Sequence, residues 1–86
     1  MGMWNVYLIQ LRDNSYYCGA STDWQNRIAL HASGKGSKYV RSRLPIKKVV
    51  AISPDFESKG SALGFEKRVK SLAKAEKPAA VRRGHV

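Results

Sequence analysis

The chain has 86 residues, the length of one domain with a modest core that needs no disulfide or metal staple. Lys and Arg number 16 against 6 Asp and Glu, a net charge of +10, so the expected partner is a polyanion, nucleic acid before any other. The lone Cys18 excludes an intramolecular disulfide. There is no apolar run of membrane-spanning length, and no charged n-region or cleavage site in Met1 to Leu11. The expected setting is therefore a reducing cytoplasm with no membrane partner.

Trp4 to Leu11 is rich in β-branched and aromatic residues and reads as a strand. Arg12-Asp13-Asn14-Ser15 supplies turn residues, and Tyr16 to Ala20 returns as a second strand, making a β-hairpin. Side chains alternate across a strand, so Tyr16 and Tyr17 point to opposite faces; one joins the core and the other can meet Tyr7 at a surface. Cys18 falls within this apolar pattern and reads as a small core residue, not a nucleophile.

Ser21 or Thr22 can cap the next element, and Asp23 suits the positive end of a helix. That helix covers Trp24 to Ala32, and Gly34 ends it. Ser33 to Gly36 is a tight basic loop, and Ser37 to Arg43 forms a short second helix. After Pro45, Ile46 to Ser53 is a third strand, broken by Pro54-Asp55. The last helix begins between Ser58 and Ser61 and runs to about Glu76, with Ala62, Phe65, Val69, Leu72 and Ala73 at helical spacing. Pro78 stops it, and residues 78–86 read as a loose basic tail. The order is β-β-α-(α)-β-α, an α+β single domain over residues 4–77.

The basic residues cluster. Lys35, Lys38, Arg41, Arg43, Lys47 and Lys48 lie between His31 and Val50 with no acid among them. Lys67, Arg68, Lys70, Lys74 and Lys77 form a second group. Lys35, Lys38, Arg41, Arg43, Lys70 and Lys74 are the candidate phosphate contacts. Gly34-Lys35-Gly36-Ser37 is not a Walker A loop: it follows a helix, no glycine stands five residues before Gly34, and neither Ser nor Thr follows Lys35.

Three further features carry candidate chemistry, each with a plain structural alternative. Arg27 and His31 are four apart and share a helix face, either as catalytic cations or as a solvated Arg beside a helix-terminal His. Ile28, Ala32 and Trp24 would dock that helix and leave the pair at the stripe's edge. Glu66 lies on or beside the buried stripe of the last helix. It is either a surface partner of Lys70 or a carboxylate aimed into a cleft as a ligand for Mg²⁺. Tyr7 and Tyr17 are either sheet aromatics or site tyrosines, and a tyrosine acts as a base only if nearby cations depress its pKa.

Taken together these residues resemble the GIY-YIG nucleases. The first motif stands as Val6-Tyr7-Leu8 and the second as Tyr17-Cys18-Gly19, with the two tyrosines ten positions apart. Thr22-Asp23, Arg27 and His31 resemble the family's first helix. The stretches His31 to Tyr39 and Ala62 to Leu72 are similar to its small, stand-alone bacterial branch. The likeness implies a three-stranded antiparallel sheet flanked by helices. It further implies Tyr7 as general base or orienter of water, Glu66 as holder of one Mg²⁺ or Mn²⁺, and Arg27 on the transition state. Tyr17 and His31 would assist, and Gly19 would let backbone pass close to the substrate.

The function expected on this reading is metal-dependent hydrolysis of phosphodiester bonds in DNA, more readily than RNA, with branched, nicked or single-stranded forms as candidate substrates. Larger relatives carry a separate targeting domain, for which these residues leave no room, so specificity is expected from the basic surface itself or from a targeting partner protein. The site is complete within one chain, which fits a monomer. Two other readings stand beside it: a nucleic-acid-binding module of the same fold with weak or no catalysis, and a basic accessory protein that docks on an acidic partner.

Overall fold

A computed structural model describes residues 2–86. Strands β1 (Asn5–Leu11), β2 (Tyr16–Ser21) and β3 (Ile46–Ile52) form one antiparallel sheet in the order β2-β1-β3. The hairpin register sets Tyr7 opposite Gly19 and Leu8 opposite Cys18.

The central strand explains the layering. Val6 and Leu8 face one side, and Tyr7, Ile9 and Leu11 face the other, as the two-residue period of a strand requires. Helix α1 (Trp24–Ala32) and the short α2 (Lys38–Arg41) cover the tyrosine side, with Trp24, Ile28 and Val40 in its core. Helix α3 (Lys59–Lys70) covers the opposite side with Ala62, Phe65 and Val69.

The start of α1 differs slightly from expectation. Asp23 is itself the N-cap, its carboxylate accepting from the Asn26 N–H at 3.1 Å, while Ser21 Oγ accepts from the Asp23 N–H at 3.0 Å. Gly34 takes a left-handed φ of 84° just past the helix end, where a side chain would be strained.

The C-terminal region corrects the sequence reading more substantially. Helix α3 ends at Lys70, not near Glu76, because Ser71 caps it and its hydroxyl donates to the Arg68 carbonyl at 2.7 Å. After a 3₁₀ turn, residues that read as a loose tail form helix α4 (Lys77–Arg83). Pro78 sits in its first turn, where a missing N–H costs nothing. Ala80 and Val81 are buried against the same face as α3, and Gly84 caps the end. Residues 77–83 therefore belong to the folded domain.

Candidate active site

Tyr7 projects from the central strand into the α1 side and is only 2% exposed. Its ring passes directly over Gly19 on the neighbouring strand: a Cβ there would lie 2.3 Å from the Tyr7 hydroxyl. His31, at the last turn of α1, is also 2% exposed, and its Nε2 lies 2.9 Å from that hydroxyl. Tyr17 completes the group, 6.5 Å from Tyr7 and edge-on to His31 at 5.1 Å between ring centroids. Strand alternation therefore places Tyr17, not Tyr16, with Tyr7.

His31 is deeper than helical spacing alone suggests, and Arg27, one turn earlier, is exposed. Arg27 makes no side-chain hydrogen bond or ion pair among the described residues, so its guanidinium is free for a ligand. Its charge is felt at both rings, lowering the pKa of Tyr7 and of His31. At Tyr7, however, burial dominates, with Tyr17 next, and the hydroxyl is pushed well above the ordinary tyrosine range. Tyr7 is thus a neutral hydrogen-bonding group at neutral pH. Orientation of a water fits it better than proton abstraction by a standing tyrosinate.

Burial first, and Arg27 second, hold the His31 pKa below its ordinary 6.5. Its protonation is disfavoured in the folded state relative to the unfolded chain. Stability contributed here is therefore present above about pH 6.5 and is lost as the pH falls from there through the lower folded-state value. The expected result is a melting temperature that declines below pH 6.5 in the native protein and declines less in His31→Gln. Identical pH profiles for the two proteins in thermal melts would refute it.

Glu66 stands on α3 with its side chain 16% exposed, and its Oε2 lies 2.7 Å from the Lys70 ammonium, which is 51% exposed. The Lys70 pair therefore forms, with the Glu66 side chain mostly buried and not exposed as a plain surface pair would be. Glu66 lies within electrostatic reach of Tyr7, whose pKa it raises, and of Cys18, whose thiol is pushed up to about 12, chiefly by burial. Cys18 is 4% exposed and packs in the core, consistent with a structural role.

No group of three or more His, Cys, Asp and Glu gathers among the described residues. That donor set does not fit a caged transition metal. A single carboxylate such as Glu66 fits Mg²⁺ or Mn²⁺, which retain waters and take further oxygens from a phosphate.

Beside the tyrosines, a cleft of about 310 Å³ is lined by Tyr16, Tyr17, Cys18, Tyr39, Lys70 and Lys77 among others. Tyr39 stacks on Tyr17 at 6.2 Å and carries the Arg43 guanidinium 3.7 Å from its ring centroid. The sequence offered no signal for Tyr39 beyond an aromatic among cations.

The candidate phosphate contacts divide. Lys35, Lys38 and Arg41 are exposed and make no side-chain bond or ion pair among the described residues. Arg43 is committed internally: Nε lies 3.1 Å from Asp13, and Nη1 donates to the Tyr39 carbonyl. Lys74 donates to the Asn14 carbonyl and covers the Tyr16 ring. Lys70 is engaged by Glu66. Arg43 and Lys74 thus act first as ties to the hairpin turn.

Comparison with known proteins agrees with this geometry. The family model described as the GIY-YIG catalytic domain matches residues 3–79. A UPF0213 protein of Halobacterium salinarum is 42% identical over 77 residues, spanning 90% of this chain and 97% of that protein. One from Streptococcus pneumoniae is 43% identical over 72 residues, spanning 84% and 71% respectively. The solution NMR structure of a UPF0213 protein from Bacillus halodurans aligns with a TM-score of 0.53 at 42% identity, covering 91% of this chain and 81% of that one. With the family model matched over residues 3–79 and the sheet ordered β2-β1-β3 between helices, the chain belongs to the GIY-YIG family of catalytic domains.

Proposed function

We propose that this protein is a metal-dependent endonuclease that hydrolyses phosphodiester bonds in DNA. The observation that supports it most is the convergence on Tyr7: a buried hydroxyl bonded to His31 and lying in the fields of both Arg27 and Glu66. Tyr7 orients the attacking water at the phosphate. Arg27, exposed and without a side-chain partner among the described residues, donates to the oxygens that gain charge as the phosphate becomes five-coordinate. Glu66 holds one Mg²⁺ or Mn²⁺, which when bound supplies Lewis-acid stabilisation of the same oxygens. His31 and Tyr17 fix the Tyr7 ring, and Lys35, Lys38 and Arg41 grip the flanking backbone. Selectivity rests on the form of the DNA, whether branched, nicked or single-stranded, or on a partner protein.

The test is cleavage of labelled duplex, nicked, branched and single-stranded DNA with Mg²⁺, Mn²⁺ or a chelator. Wild type should cut at least one form only with metal. Arg27→Ala should lose on the order of 100-fold in rate, the worth of one transition-state donor. Equal cleavage by Arg27→Ala, or none by wild type, would overturn the proposal.

Two observations favour a second reading, a binding module with little catalysis. Lys70 already holds the Glu66 carboxylate, and burial keeps Tyr7 protonated. That reading predicts salt-sensitive DNA binding without turnover.

A further inference from the structure

The glycine at position 36 has no backbone reason to be there. Its φ lies outside the left-handed region, unlike that of Gly34 in the same loop. Its constraint comes from elsewhere: a Cβ on Gly36 would lie 2.1 Å from His31 Nδ1 and 2.6 Å from Cε1. The hydrogen that takes the place of that Cβ is therefore aimed at the imidazole nitrogen. Nδ1 is buried and has no hydrogen-bond partner among the described residues.

Two tautomers are compatible with the 2.9 Å contact between Nε2 and the Tyr7 hydroxyl. If Tyr7 donates, the imidazole proton sits on Nδ1. That N–H would be buried without an acceptor and pressed against the Gly36 Cα–H. Orphaned buried N–H groups are among the rarest features of folded proteins. If His31 donates from Nε2, then Nδ1 carries a lone pair, and the Gly36 Cα–H meets it as a weak C–H···N contact. The second arrangement removes both penalties. The other groups facing the ring do not reverse this choice: Tyr17 presents an aromatic edge, and Arg27 disfavours the doubly protonated cation without selecting a nitrogen.

We propose that Gly36 is a positioning residue that sets the tautomer of His31, closing off Nδ1 so that Nε2–H donates to the Tyr7 oxygen. The consequence for Tyr7 is specific. Its own proton is not spent on His31 and is left for a water or a phosphate oxygen. Only this catalytic consequence rests on the nuclease reading; the tautomer assignment rests on packing alone.

Nitrogen-15 NMR of histidine-labelled protein decides it, because the chain contains just two histidines, His31 and the exposed His85. At pH 7.5 the expected His31 signature is a protonated Nε2 and a bare Nδ1, and an Nδ1-protonated signature overturns the proposal. In Gly36→Ala the exposed loop must shift, admit water to Nδ1 and mix the tautomers, with cleavage falling on the order of 100-fold through misplacement of Tyr7. Thermal melts of Gly36→Ala in wild-type and His31→Ala backgrounds supply the control. The methyl should be costly beside the ring and harmless once the ring is gone. Equal cost in both backgrounds would make Gly36 a plain loop residue and overturn the assignment. Absence of cleavage in every variant, by contrast, overturns the nuclease reading and leaves the NMR result to decide the role of Gly36.

Discussion

Glu66→Gln should lose metal-stimulated cleavage by on the order of a thousandfold, the rate equivalent of several kcal/mol of charge stabilisation at the phosphate. The amide keeps the size and shape of the side chain on α3 but no longer attracts a hard cation. DNA binding should stay close to wild type or tighten slightly, because one negative charge leaves a basic surface and Lys70 is released toward phosphate. The loss should therefore fall on turnover and not on affinity, the mark of an interaction made in the transition state. Lys70→Met sharpens the test in the opposite direction. It removes the cation that lies 2.7 Å from the carboxylate, so Mn²⁺ should bind a few-fold tighter by calorimetry. Mn²⁺ affinity unchanged in both variants would mean that no metal uses Glu66.

Much of this arrangement is legible in the sequence, for physical reasons that also mark where legibility ends. The hairpin follows from alternation and a strong turn; alternation separates Tyr16 from Tyr17, and the register that sets Tyr7 opposite Gly19 puts Tyr17 beside Tyr7. The Arg27–His31 spacing gives a shared helix face. It does not give depth: His31 is drawn inward by the Tyr7 hydroxyl and Arg27 is left outside, a distinction that periodicity cannot carry. Pro78 reads as a helix stop, yet the same residue is well suited to a first turn. Only burial of Ala80 and Val81 on the sheet reveals α4. Arg43 and Lys74 look like free cations because their partners, Asp13 and Asn14, are far away in sequence and close only once the hairpin turn folds beside them. Gly19 and Gly36 are legible as residues but not as constraints, since what each excludes is a side chain met only in three dimensions.

The Cβ clash is closer at Gly36 than at Gly19, but Gly36 lies in an exposed loop that can shift and Gly19 does not, so Gly19→Ala should be the most damaging single methyl in the protein. The added carbon would lie 2.3 Å from the Tyr7 hydroxyl and 2.4 Å from Cζ, so one of the two must move by about an ångström to reach ordinary contact. Gly19 is in the middle of a paired strand, held opposite Tyr7 by the ladder, and cannot retreat without breaking it. Tyr7 is fully enclosed, with His31 and Tyr17 against its ring. Overpacking of this kind costs about 1–3 kcal/mol. The same displacement breaks the 2.9 Å contact with His31 and misplaces the hydroxyl, for which a rate loss on the order of 100-fold is expected. Gly64→Ala is the matched control. In the interior of α3 the new methyl meets only the Arg68 guanidinium, 3.9 Å away, and should stabilise by about 1 kcal/mol without touching turnover. Tyr7→Phe separates the two effects, because it removes the hydroxyl while keeping the ring. If the hydroxyl is what Gly19 protects, then Gly19→Ala should add little further rate loss in a Tyr7→Phe background while still lowering the melting temperature. Full activity in Gly19→Ala would show that the position of the Tyr7 hydroxyl does not matter to the reaction, and the proposed role of Tyr7 would fall with it.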